Sequence, residues 1–158
     1  MRIRRVGIAL LVVGLATAFG FTQTNKGSGN PLIGAWKIVE TTAANGEKIT
    51  NPQPSLYIFT PRHYSVMAVT GSKPRPTYNQ GFATPELKIA MFDAFVANAG
   101  TYTLAGTLLK TRPIVAKQEF VMAGPDQELD LKIEGNTIWL TAKNGPGQGS
   151  INKLTRIE

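Results

Sequence analysis

The run Leu32-Ile33-Gly34-Ala35-Trp36-Lys37-Ile38-Val39-Glu40 constrains this chain more than any other stretch. A glycine lets the backbone enter a strand in close packing. The indole two residues on then lies on the same strand face, where it can plug one end of a barrel. The pattern points to a closed antiparallel barrel with a cavity. It speaks to fold and pocket, not to a reaction.

What precedes the run reads as an export leader. Residues 1 to 5 are Met-Arg-Ile-Arg-Arg, and Val6 to Phe21 carries no charge, with Leu10, Leu11, Val12 and Val13 at its centre. This is the charged-then-apolar order of a signal peptide, assigned to residues 1–22, with cleavage after Ala18 or Gly20. An uncleaved anchor is the competing reading, but the stretch falls short of the ~20 apolar residues a spanning helix needs. A flexible spacer, residues 23–31, contains Asn25-Lys26-Gly27-Ser28-Gly29-Asn30-Pro31, and a single domain is expected over residues 32–158. The expected location is periplasmic or secreted.

Removing Arg2, Arg4 and Arg5 takes the balance from 17 basic against 10 acidic residues to 14 against 10, a net charge of +4. Without a basic block, that residual charge argues against a nucleic-acid partner, and against a membrane partner beyond the leader. The chain has no cysteine, which excludes disulfides and a cysteine-based lipid anchor. With one histidine and no Asp-x-Asp-x-Asp cluster, neither a metal site nor a cofactor is expected.

From Leu32 on, short period-2 segments alternate with turn residues, as in an antiparallel meander. The expected strands are Trp36 to Val39, Leu56 to Phe59, Tyr64 to Val69, Leu129 to Glu134, Ile138 to Thr141 and Ile151 to Arg156. Asn45-Gly46, Thr60-Pro61-Arg62-His63 and Gly135-Asn136 supply connections. Gly124-Pro125-Asp126 and Asn144 to Gly149 read as turns or loops. One segment breaks the pattern. Thr84-Pro85-Glu86 is a helix N-terminus, and Leu87, Met91, Phe92, Phe95 and Val96 follow at helical spacing up to Gly100 as a C′ residue. The fold class is mainly β: one up-and-down barrel with one short helix of about three turns over a mouth or flank.

Taken together, several segments resemble bacterial exported lipocalin-like domain proteins. They are Leu32 to Trp36, Leu56 to Met67, Phe92 to Thr103 with its Ala99-Gly100-Thr101-Tyr102, Arg112 to Lys117, and Gly135 to Thr141. The resemblance covers nearly the whole mature chain. It implies a calycin-type barrel, usually exported in this subgroup, with no established reaction. Broader members place glycine where this chain has His63, a residue enriched at positive φ.

Candidate ligand-binding residues are Tyr57, Phe59, His63, Tyr64, Met67, Arg75, Phe92, Tyr102, Arg112 and Trp139. Gly34, Trp36 and Arg156 are the candidates for structural closure. Trp36 either lines the cavity or closes the floor, and closure is favoured because an indole is a large apolar payload, with Arg156 as its cation-π partner. Tyr57 and Phe59 share one strand face, Leu56 and Ile58 the other, and only one pair faces inward. The Lys73-Pro74-Arg75-Pro76 loop either greets an anionic head group at the mouth or is a solvated connection. Arg112 and Lys117 invite the same two readings. The helical stripe is core or an adaptable lid, and Trp139, out of phase with Ile138 and Leu140, covers the helix or lies exposed.

Three functional classes remain. The first is an exported barrel that binds a small, largely hydrophobic or amphipathic molecule, with a basic loop at the cavity mouth and no catalytic residue. The second is a barrel enzyme of isomerase or cyclase type, steered by His63, Tyr64 or Tyr102 projecting inward. The third is a ligand-free envelope interaction module with an exposed apolar patch.

Overall fold

The computed structural model describes residues 29–78 and 81–158. The expected leader, and most of the expected spacer, lie outside the described residues. Nine antiparallel strands follow: β1 (Gly34–Thr42), β2 (Lys48–Ile49), β3 (Ser55–Phe59), β4 (His63–Val69), β5 (Phe95–Ala105), β6 (Leu108–Ala116), β7 (Gln127–Glu134), β8 (Thr137–Ala142) and β9 (Ile151–Arg156). Eight of them pair in sequence order and β9 returns to β1, which closes the barrel, while two-residue β2 lies along the upper end of β1. Full closure leaves no long unpaired edge.

Among the described residues two short helices accompany the barrel, α1 (Pro85–Asp93) and α2 (Glu119–Ala123), where one was expected. Thr84 caps α1 as the sequence indicates, accepting a hydrogen bond from the Leu87 N–H. The helix nevertheless stops at Asp93. Phe95 and Val96 open β5 and pair with Val69 and Ala68, and Gly100 lies in mid-strand. β-branched and aromatic side chains suit a pleated ladder as well as a helix, and here the ladder on β4 wins. Gly100 therefore has a role other than ending a helix. A Cβ there would run into the Arg112 carbonyl, at the point where the β5/β6 register slips.

The shortest strand-to-strand connections lie at one end. The β3–β4, β5–β6 and β7–β8 connections meet the start of β1 and the end of β9 there, and this end is the floor. At β7–β8, Gly135 takes φ 56°, as a two-residue hairpin loop asks. His63 keeps a negative φ, because no residue other than glycine has a positive one among the described residues. It opens β4 as part of a turn in which its N–H donates to the Thr60 hydroxyl and its carbonyl accepts the Thr60 N–H.

The floor is sealed by the segment ahead of β1. Leu32 and Trp36 are fully buried, and the Trp36 indole N–H donates to the Leu32 carbonyl at 2.8 Å. The Arg156 guanidinium stacks 4.1 Å from the Trp36 ring centroid and donates to the Ile33 and Pro31 carbonyls, each at 2.6 Å. Asn30 accepts the Leu32 N–H and donates to the Tyr102 hydroxyl, which itself donates to the Thr60 carbonyl. Asn30 and Pro31, counted with the spacer in sequence, are thus tied to the barrel. Gly34 sits at φ 131°, with the Glu158 carbonyl and the Arg156 guanidinium where a Cβ would stand. Above this plug, Leu109, Leu131, Ile138 and Leu154 fill the lower barrel, and Phe59 meets Tyr102 edge-on at 5.4 Å.

Candidate functional site

Packing does not reach the other end. The β1–β3, β4–β5, β6–β7 and β8–β9 connections there are long, and between them a cavity of about 610 Å³ descends into the barrel. Its depth is set by Phe59, Tyr64 and Leu109, and its walls by Ile38, Tyr57, Val66, Leu129 and Leu140. The volume falls within the ~300–1,000 Å³ typical of small-molecule sites.

The aromatic pair of β3 is the one that faces inward. Trp36 points into the barrel and pairs directly with Tyr57, while Gly34 pairs with Phe59, so the register places Tyr57 and Phe59 on the inner face. Ile58 is exposed on the outer one. Burial pushes the Tyr57 phenol up to about 12, because a phenolate would lose its hydration there. β4 alternates in the same way, with Tyr64, Val66 and Ala68 inside and Met67 outside. The Tyr64 hydroxyl has no well-formed hydrogen-bond partner among the described residues. Burial raises its pKa, and the neighbouring Thr111 hydroxyl offsets only part of that. Thr111 is itself a buried polar residue of the inner wall, paired with Gln127 across β6–β7.

Of the ten ligand-binding candidates, the structure brings together Tyr57, Phe59 and Tyr64 along the cavity. The other seven are not among the lining residues. His63 is exposed at the floor-end turn, and Met67 is exposed on the outer wall. Tyr102 belongs to the floor, with its hydroxyl held between Asn30 and Thr60. The Arg75 guanidinium lies 4.7 Å from the Phe95 ring centroid, and its Nε donates to the Met91 carbonyl at the end of α1. Phe92 is half exposed beneath the Lys117 ammonium, 4.0 Å from its ring centroid. Arg112 pairs with Asp126 at 3.2 Å and donates to the Gly124 carbonyl. Trp139 stands on the outer wall between Lys132 and Lys153, at 4.9 and 5.6 Å.

Neither basic candidate lines the cavity, although Arg112 is held against Asp126 and Gly124 at its mouth. The loop arginine is held against α1 and β5, and α1 contributes no residue to the cavity lining. The element that does border the mouth is α2, packed on β6, with Phe120 and Val121 lining the opening and Phe120 57 % exposed. Sequence reasoning missed it because five residues carry too little periodicity to register. It also missed the mouth's amides, Gln53, Asn98, Gln118, Gln127, Asn144 and Asn152. Some hold the loops: Asn144 accepts the Glu128 N–H and donates to the Asp126 carbonyl, and Gln53 donates to the Ser72 carbonyl. The loop residues Asn144 to Gly149, with three glycines and one proline, were the available signal.

Of the three groups that would steer an enzymatic substrate, Tyr64 alone lines the cavity. With its pKa raised it stays a neutral phenol near pH 7, a donor and not a base. No cluster of three or more His, Cys, Asp or Glu side chains suited to a metal ion occurs among the described residues, and no described helix is long and apolar enough to cross a membrane.

No protein-family model matches the chain, and no curated protein matches it either. Two solved structures are similar in outline. A lipocalin-like protein from Bacteroides uniformis shares 13 % identity and a TM-score of 0.48, over 80 % of this chain and 98 % of that one. An uncharacterized protein from Bacteroides eggerthii shares 10 % identity and a TM-score of 0.47, over 79 % and 98 %.

Proposed function

We propose that this barrel binds a small, largely apolar molecule in the cavity between its plugged floor and its open mouth. The observation that carries the reading is the asymmetry of packing. The lower barrel is filled to its centre by Trp36, Leu109, Ile138 and Leu154, whereas the upper barrel leaves about 610 Å³ lined by aromatic and aliphatic side chains. Apolar walls around such a space favour an apolar occupant, at roughly 25 cal/mol per Å² of apolar surface removed from water. The leader pattern supports export as the setting. Amino-terminal sequencing of cell fractions, with a start near Phe19 or Phe21, would test that separately.

The binding reading is tested with N-phenyl-naphthylamine, a neutral dye that brightens in apolar surroundings. The reading predicts a saturable rise in fluorescence at one dye per chain. Ala68→Phe, placed on the inner wall of β4, should weaken the rise at least about tenfold by occupying the space. A linear, non-saturating signal, or one that Ala68→Phe leaves unchanged, would remove the reading.

A further inference from the structure

Resting on that reading, we infer that the cavity selects electrically neutral ligands and rejects anionic amphiphiles such as fatty-acid carboxylates. The carrying observation is the charge content of the wall. Among the described residues, Asp126 is the one charged residue that lines the cavity; it stands at the mouth, and Arg112 pairs with it at 3.2 Å from outside the lining. No lysine, arginine or histidine among the described residues contributes to the lining.

Lys73, two residues past the lining Gly71, and Lys88 on α1 are exposed and outside the lining, while the other cations near the upper barrel are engaged elsewhere. Arg75 lies against the Phe95 ring and the Met91 carbonyl, and Lys117 against the Phe92 ring and carbonyl. Lys110 pairs with Glu128 at 2.7 Å and Lys143 with Asp130 at 3.3 Å, while Lys48 lies 3.8 Å from Glu40. An ionised carboxylate entering the cavity would give up its water and meet no counter-charge, which is the costly way to bury an ion. The same desolvation already acts on the wall's own acid, holding Tyr57 neutral to high pH.

What the upper cavity offers is a set of neutral donors and acceptors: Asn98, Thr111, Gln118 and Gln127, with Thr41 and Ser150 near the rim. Amides and hydroxyls of this kind satisfy a carbonyl, ester or alcohol at one hydrogen bond each, without a charge to match. The occupant this describes is an apolar body carrying one or two uncharged oxygen functions.

The test displaces N-phenyl-naphthylamine from the unmodified full-length protein with three ligands of one chain length: dodecanoate, its methyl ester and dodecyltrimethylammonium. Near pH 8, where the acid is ionised, the ester is expected to compete at least about tenfold more strongly than dodecanoate, a gap equal to one unit of carboxyl pKa shift. The quaternary cation should also trail the ester. Dodecanoate binding as tightly as the ester would overturn the inference while leaving the cavity reading intact. Displacement by none of the three, with the dye also unbound, would overturn both. Asn98→Lys adds a cation to the inner wall of β5 and should narrow the ester-to-acid ratio at least about tenfold. An unchanged ratio in a variant of unchanged melting temperature would contradict a selectivity set by missing positive charge.

Discussion

The two ends of this barrel are built from the same strands and solve opposite problems. At the floor, short turns bring Trp36, Leu32 and Arg156 together, and the guanidinium satisfies two carbonyls while covering the indole. At the mouth, long connections hold the strand ends apart, and amides on those connections bond to backbone in place of a hydrophobic plug. The lesson is that connection length decides where a barrel is core and where it is container. Large side chains are not confined to the floor: Tyr57, Phe59 and Tyr64 line the container, yet they do not close it.

The sharpest way to break the contrast is to unplug the floor. Trp36→Ala removes a fully buried indole and strands the Arg156 guanidinium, so urea unfolding should show a loss of about 3–5 kcal/mol. Retention of full stability would mean that the floor is not the structural half. Next comes an alkaline titration. Tyr57 has a pKa of about 12 in the folded chain against about 10 when unfolded. Below pH 10 both states hold the phenolic proton and the group has no effect. Between pH 10 and about 12 only the unfolded state releases it, so stability falls, by about 2–3 kcal/mol in total. Urea midpoints followed into that window should decline less steeply in Tyr57→Phe than in the parent.

Gly34→Ala is smaller, because it asks a residue with a Cβ to keep φ 131° against the Glu158 carbonyl. About 1–3 kcal/mol should be lost by the same assay. Phe120→Ala, at the mouth, should change stability by less than about 0.5 kcal/mol because the ring is mostly exposed. Dye affinity should nonetheless drop a few-fold. A floor variant that altered affinity alone, or a mouth variant that altered stability alone, would invert the comparison.

The floor was largely legible in the sequence. Gly34-Ala35-Trp36 and Arg156 are recognisable because a barrel end needs a close-packed entry, a large apolar plug and a cation to cover it. The clean alternation of Leu129, Leu131 and Ile133 fixes the inner face of β7 in the same way. The mouth was much less so. Phe95, Val96 and Gly100 satisfied a helical spacing as well as a strand, and only pairing with β4 decides between them. Arg75 looked available because sequence does not show that the Met91 carbonyl and the Phe95 ring lie beside it. The inner face of β3 was undetermined by its own residues, which are apolar on both faces, although the pairing of Tyr57 with inward-facing Trp36 settles it. Local patterns encode what a segment prefers, whereas the mouth depends on which segments meet.

The most direct test of a structural floor and a receptive mouth is residue-resolved amide chemical-shift mapping by NMR during titration with N-phenyl-naphthylamine. The account predicts saturating shifts concentrated at Tyr57, Val66, Asn98, Phe120 and Leu140. Residues of the floor, Leu32, Trp36 and Arg156, should stay in place. Shifts confined to the floor or to the outer wall around Met67 and Trp139, with the cavity residues silent, would contradict it.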